Sequence, residues 1–165
     1  MKKLFVIIWF LQSLQLIYGQ KIKSEFEAKA DEINYQVRFI DSIGKQKTEG
    51  IIEGIVKYSH GPNKNYGWEA YFFNDEEKKK PLRIKYSETT PKGIEHLNLY
   101  YKDGELIYSE LMKIEYNRKL KPINQVVKKF IFENNNVLNP KDVLDEDSFY
   151  IIEKSKLLVK EIYNL

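Results

Sequence analysis

Cysteine is absent from the chain, and this excludes disulfide staples, thiolate metal sites and lipid attachment at a signal-peptide cysteine. No Asn-x-Ser/Thr sequon occurs, so no asparagine is an acceptor for N-linked glycan. Histidine is nearly absent as well. His60 and His96 have no third ligand at a helical or hairpin spacing, and no metal site or cofactor is expected. There is no Gly-x-Ser-x-Gly elbow and no phosphate-cradling glycine loop, which removes the common nucleophilic and nucleotide-binding enzyme classes. The oxygen-rich residues Asn134, Asn135, Asn136, Asn139, Asp142, Asp145 and Asp147 lack the alternating spacing that arranges ligands around one calcium ion, so turn and cap duty is expected of them.

Long apolar runs are also missing. The longest lies at the N-terminus, where Leu4 to Leu11 follow Lys2 and Lys3 and are interrupted by Gln12, Ser13 and Gln15. That is well short of the ~20 residues a membrane span requires. A basic start, an apolar middle and small-residue Gly19 read as a signal peptide over residues 1–19, cleaved after Gly19. The protein is therefore expected to be exported, periplasmic or secreted, with membrane contact only through the uncleaved leader. The lack of disulfides and glycan sites suits a bacterial periplasm. Lys2 and Lys3 are the only charged residues in the leader, so the formal charge of +3 falls by two without it. A nearly neutral body gives no support to nucleic-acid binding.

What remains, residues 20–165, is one domain's worth of chain. Aromatics make up 14% of the sequence, with twelve Tyr and nine Phe, and this favours strands. Ser24-x-x-Glu27 reads as a capping box, and Phe26, Ala30, Ile33, Val37 and Ile40 follow it at helical spacing, with Gly44 as a left-handed stop. This amphipathic helix is expected to pack on the chain's own sheet. From Gly50 the period becomes two: Ile51 to Tyr58, Gly67 to Phe73, Leu82 to Glu88, Ile94 to Tyr101, Leu106 to Tyr116, Val126 to Glu133 and a short piece at Val137 and Leu138 read as strands. The tail from Asp147 to Leu165 is expected to be helical, capped by Asp145 or Asp147, with Ile151, Leu158, Ile162 and Leu165 on one side. The fold class is α+β: an antiparallel β-meander of six or seven strands, an N-terminal helix on one face and a C-terminal helix closing the fold.

The hairpin at Asp103-Gly104 sets the expected register, because both residues tolerate the positive φ of a type I′ turn. Carried along the strands without interruption, it pairs Tyr101 with Leu106, Leu99 with Tyr108 and Leu97 with Glu110. Glu110 then falls on the apolar face, as does Glu88, which shares the parity of Leu82, Ile84 and Tyr86. Two carboxylates there are the candidates for acid-base work in an envelope hydrolase, or else lie at the sheet margin and pair with lysine. The opposite face carries Tyr71, Phe73, Arg83, Lys85, His96, Asn98, Tyr100, Ile107 and Leu111. Its mix of aromatic, basic and amide groups suits a protein, peptide or glycan partner, unless the C-terminal helix covers it. Tyr71, Phe73, Arg83, Lys85, His96 and Tyr100 are the candidate binding residues.

An aromatic, a spacer and then Asp or Asn recurs at Phe73, Tyr101 and Phe132. The hairpin at residues 100–106 resembles units of MORN-like and toxin-neutralising antitoxin-type bacterial proteins, whose hairpins stack into a long twisted sheet. The layout of helix, meander and helix is similar to families of small exported bacterial proteins and to inhibitor-type periplasmic domains. These resemblances imply binding more than catalysis. The expectation is a non-enzymatic exported binding or inhibitor-like module, with a carboxylate hydrolase or a structural, oligomeric envelope protein as alternatives.

Overall fold

The computed structural model describes residues 26–59, 65–77, 79–138 and 145–163. The leader at 1–19, the cap at Ser24, His60, Asn139, Pro140, Asp142 and Leu165 lie outside them. Helix α1 spans residues 26–44. Seven strands follow: β1 Gly50–Lys57, β2 Asn65–Asp75, β3 Lys80–Thr89, β4 Gly93–Lys102, β5 Glu105–Tyr116, β6 Pro122–Glu133 and β7 Asn136–Val137. Helix α2, Glu146–Tyr163, closes the chain. Each strand pairs antiparallel with its sequence neighbour, so the sheet is a pure meander in the order β1 to β7.

Turn chemistry makes this topology. Asp103 and Gly104 have φ of 55° and 89°, and Asn134 and Asn135 have 51° and 60°, the left-handed pairs that a tight hairpin turn requires. Asp145 caps α2, accepting the Asp147 backbone N–H on its side chain at 2.9 Å and the Ser148 N–H on its carbonyl at 2.9 Å.

The sheet lies between the two helices. One face presents Ala70, Ile84, Tyr86, Leu97, Leu99, Leu111 and Phe130 to Ile151 and Leu158 of α2. The other presents Phe73, Tyr100 and Tyr108 to Ile33 and Ile40 of α1. The C-terminal helix therefore covers the leucine face, and the cover over the candidate binding face comes from the N-terminal helix.

Three details depart from expectation. Gly44 ends α1 without a positive φ. A Cβ there would stand 2.6 Å from the Arg83 guanidinium and 2.8 Å from the Phe73 ring, so close packing of helix on sheet is what requires glycine. The hairpin register holds for Lys102–Glu105 and Tyr101–Leu106, then slips: Tyr100 faces Tyr108, Leu99 faces Ser109, Asn98 faces Glu110 and Leu97 faces Leu111. A bulge at Ile107 inserts the extra residue. It moves Glu110 off the leucine face and Leu111 onto it. A second bulge, where Phe73 pairs with Arg83 but Asn74 pairs with Pro81, turns Leu82 away from Ile84 and Tyr86 toward the α1 side.

Candidate functional site

On the α1 side, facing residues form rows that run across the strands. Phe73, Arg83, Tyr100, Tyr108 and Ile131 make the row beneath α1. Arg83 is 5% exposed and is held between Asp41 of α1 and Glu49 ahead of β1, with its guanidinium 4.7 Å from the centre of the Phe73 ring. Burial opposes its charge, but the hydrogen bonds to Glu49 and Asp41 outweigh this and raise its pKa. The Tyr100 hydroxyl donates to Asp41 at 3.1 Å, and burial together with that carboxylate raises the phenol's pKa. Phe73, Arg83 and Tyr100 thus anchor the helix.

The next rows are uncovered. One runs Ile51, Tyr71, Lys85, Asn98, Glu110, Lys129, and the next Glu53, Glu69, Ser87, His96, Met112, Val127. Beside α1 a cleft of about 750 Å³ is lined by Lys45, Lys47, Ile51, Tyr71 and Lys85 together with the Asp41, Glu49 and Arg83 cluster. The six candidate binding residues therefore share one face and divide in function: three hold the helix, and Tyr71, Lys85 and His96 lie on the open part. Glu110 is on this side too, 3.2 Å from Lys129.

Glu88 is on the other side, so the two candidate carboxylates cannot flank one pocket. Its row runs Gly54, Trp68, Glu88, Glu95, Lys113, Val126 beneath the first turns of α2. Glu88 is 3% exposed and accepts hydrogen bonds from the Tyr58 and Tyr86 hydroxyls. Lys154 of α2 reaches it at 3.1 Å and the Tyr86 hydroxyl at 2.9 Å, with its ammonium 4.4 Å from the Tyr86 ring centre. Burial would raise the carboxyl, but the two phenols and Lys154 outweigh it and hold Glu88 below the usual carboxylate range. Its neighbour Glu95 goes the other way. Burial raises it and the adjacent Glu88 charge adds to this, against a hydrogen bond from Tyr150 and the Lys113 ammonium 4.0 Å away. Lys113 and Lys128 both pair with Asp147, which ties the start of α2 to β5 and β6.

Glu95 was not singled out from the sequence, although a signal for it exists. It shares the parity of Leu97, Leu99 and Tyr101, and the Thr89 to Lys92 turn places it opposite Glu88. Glu95 also lines a cleft of about 420 Å³ with Tyr58, Pro91, Ile94 and Ile114. Two adjacent carboxyls are thus shifted in opposite directions, Glu88 down and Glu95 up. Tyr86, Tyr150 and Lys154 around them are used in clasping α2 to the sheet, and Tyr58 donates to Glu88 from just beyond β1.

Among the described residues no three His, Asp or Glu side chains come together to hold a metal ion, and no helix is long and apolar enough to cross a membrane. Comparison with protein-family models, with curated proteins and with solved structures found no match to this chain.

Proposed function

We propose that this protein is an exported binding module that engages a protein, peptide or glycan partner through the part of the sheet face that α1 leaves open. The observation carrying the proposal is that α1 packs over the Phe73–Arg83–Tyr100–Tyr108 row with Leu82 and Ile107 beside it, while Ile51, Tyr71, Lys85, His96, Met112 and Val127 continue the same face beyond it. Ile51 is 58% exposed there, and Val127 is also exposed. An aromatic, a histidine, apolar side chains and charges of both signs on one rigid surface supply stacking, hydrogen bonding and desolvation together.

The test compares partners recovered from envelope extract by immobilised wild-type protein, by a Tyr71→Ala/Lys85→Glu/His96→Ala variant and by Leu157→Ala. Leu157 is an exposed residue of α2, on the far side of the molecule. The triple variant is expected to lose the partners and Leu157→Ala to keep them. Equal recovery by the triple variant, or no recovery by wild type, overturns the proposal.

A further inference from the structure

The two long edges of the sheet are not alike. At the far edge β6 opens with Pro122, carries Lys128 and Lys129, pairs with β5 through an irregular register and is capped at one end by β7. Proline, lysine, bulges and short covering strands are the devices by which edge strands are kept from pairing with other chains. β1 has none of these along its length except Lys57 at its end. It contains no proline and pairs with β2 in unbroken register from Gly50 to Lys57. Among the described residues no strand lies on its outer side. On the α2 side its edge is sealed by aromatic rings, since Phe72 and Trp68 lie across Gly50 and Gly54. On the other side Ile51 and Ile55 stand 58% and 68% exposed.

The charges on β1 point to what pairs with it. Glu53 sits directly opposite Glu69 of β2, a like-charge pair that disfavours the ladder, and among the described residues no cation lies within ion-pair distance of it. Lys57, two pairs further along the same face, stands opposite Asn65 and has no carboxylate partner among the described residues. We propose that β1 joins β1 of a second copy of this chain, antiparallel and two-fold symmetric, with Ile55 on the axis. In that register Ile55 faces its own equivalent, and Glu53 of each copy faces Lys57 of the other. Gly54 and Val56 pair on the opposite face.

Only this register satisfies the charges. Centring on Glu53 sets two carboxylates against each other, and centring on Gly54 sets Glu53 against Ile55 and Lys57 against Ile51. The dimer is one continuous sheet in which each Glu69–Glu53 repulsion gains a cation as third member of the row, and each exposed Ile55 is covered. Such an isologous edge contact closes on itself and leaves Tyr71, Lys85 and His96 uncovered.

Sedimentation velocity on the purified wild-type protein and on Glu53→Lys, Lys57→Glu and the double swap tests the proposal. Wild type is expected to dimerise. Each single variant sets two like-charge pairs across the axis and should weaken dimerisation about tenfold or more. The double swap rebuilds both pairs in reverse and should restore it. Circular dichroism of the single variants should match wild type, because both side chains are exposed. A monomeric wild type, a dimer indifferent to the single substitutions, or a double swap that stays monomeric would overturn the proposal.

Discussion

Replacing Lys154 by Met should cost the fold about 3 kcal/mol at neutral pH. The substitution keeps the stem and removes only the ammonium, which stands 3.1 Å from Glu88 and 2.9 Å from the Tyr86 hydroxyl. Glu88 is 3% exposed, so its carboxylate cannot turn to water once the cation is gone. Breaking a buried pair from one side costs roughly 3–5 kcal/mol, and the two phenols that still donate to Glu88 place the loss at the lower end. For a domain of this length that is a fall in melting temperature of about 10 °C. In the wild type the Glu88 carboxyl is held below its ordinary value, so the stability it contributes is complete above the unfolded-state pKa and is lost as pH falls through the folded one. Without Lys154 burial gains the upper hand, the folded-state pKa rises, and protonation relieves the variant. The gap between variant and wild type is then widest near pH 7 and narrows below about pH 5. Urea unfolding followed by far-ultraviolet circular dichroism at both pH values measures it. A loss under about 1 kcal/mol at pH 7, the scale of a solvated surface pair, would refute the reasoning, as would a gap that widens in acid. The double variant Glu88→Gln/Lys154→Met removes both charges and should lie closer to wild type than Lys154→Met alone.

Glu95→Gln should act in the opposite direction, raising stability at pH 7. The folded-state carboxyl titrates above its unfolded value, so its ionisation opposes folding as pH rises through the folded pKa, and the gain should vanish below about pH 4, where both states are protonated. Thermal melts at the two pH values decide this, and a destabilised variant at pH 7 would show that Glu95 is needed as a charge. Gly54→Ala puts a methyl group 2.7 Å from the Trp68 indole and should cost about 1–3 kcal/mol while shifting the fluorescence of Trp68. An unchanged spectrum would mean that the ring does not lie across β1.

Where the chain turns was legible because local chemistry decides it. Asp103-Gly104 and Asn134-Asn135 adopt the left-handed conformations that their residue types permit, and Asp145 caps α2 through its own side chain. Strand parity was legible only as far as the first bulge. Ile107 is as apolar as its neighbours, so nothing in the residue string marks it as an insertion, yet it decides the face on which Glu110 and Leu111 lie. Which helix covers which face was hidden for a different reason. Both sheet faces carry aliphatic and aromatic residues, and either apolar stripe would serve as cover. The choice rests on polar contacts far apart in sequence, Arg83 with Asp41 on one side and Tyr86 with Lys154 on the other, 42 and 68 residues apart. Gly44 was recognised as the end of α1, but the requirement for glycine there comes from Arg83 and Phe73, which pattern reading does not bring near it.

The meander order has a kinetic consequence. Every strand finds its partner across a neighbouring turn, so the sheet assembles from short loop closures, beginning where a two-residue turn such as Asp103-Gly104 needs no search. The helices must wait for the sheet. The Lys154 ammonium has no buried carboxylate to meet until β3 has placed Glu88 beside Tyr86, and Asp41 has no guanidinium until the same strand has placed Arg83. Substitutions at Lys154 or Asp41 should therefore speed unfolding far more than they slow folding, because the contacts they remove form after the sheet does.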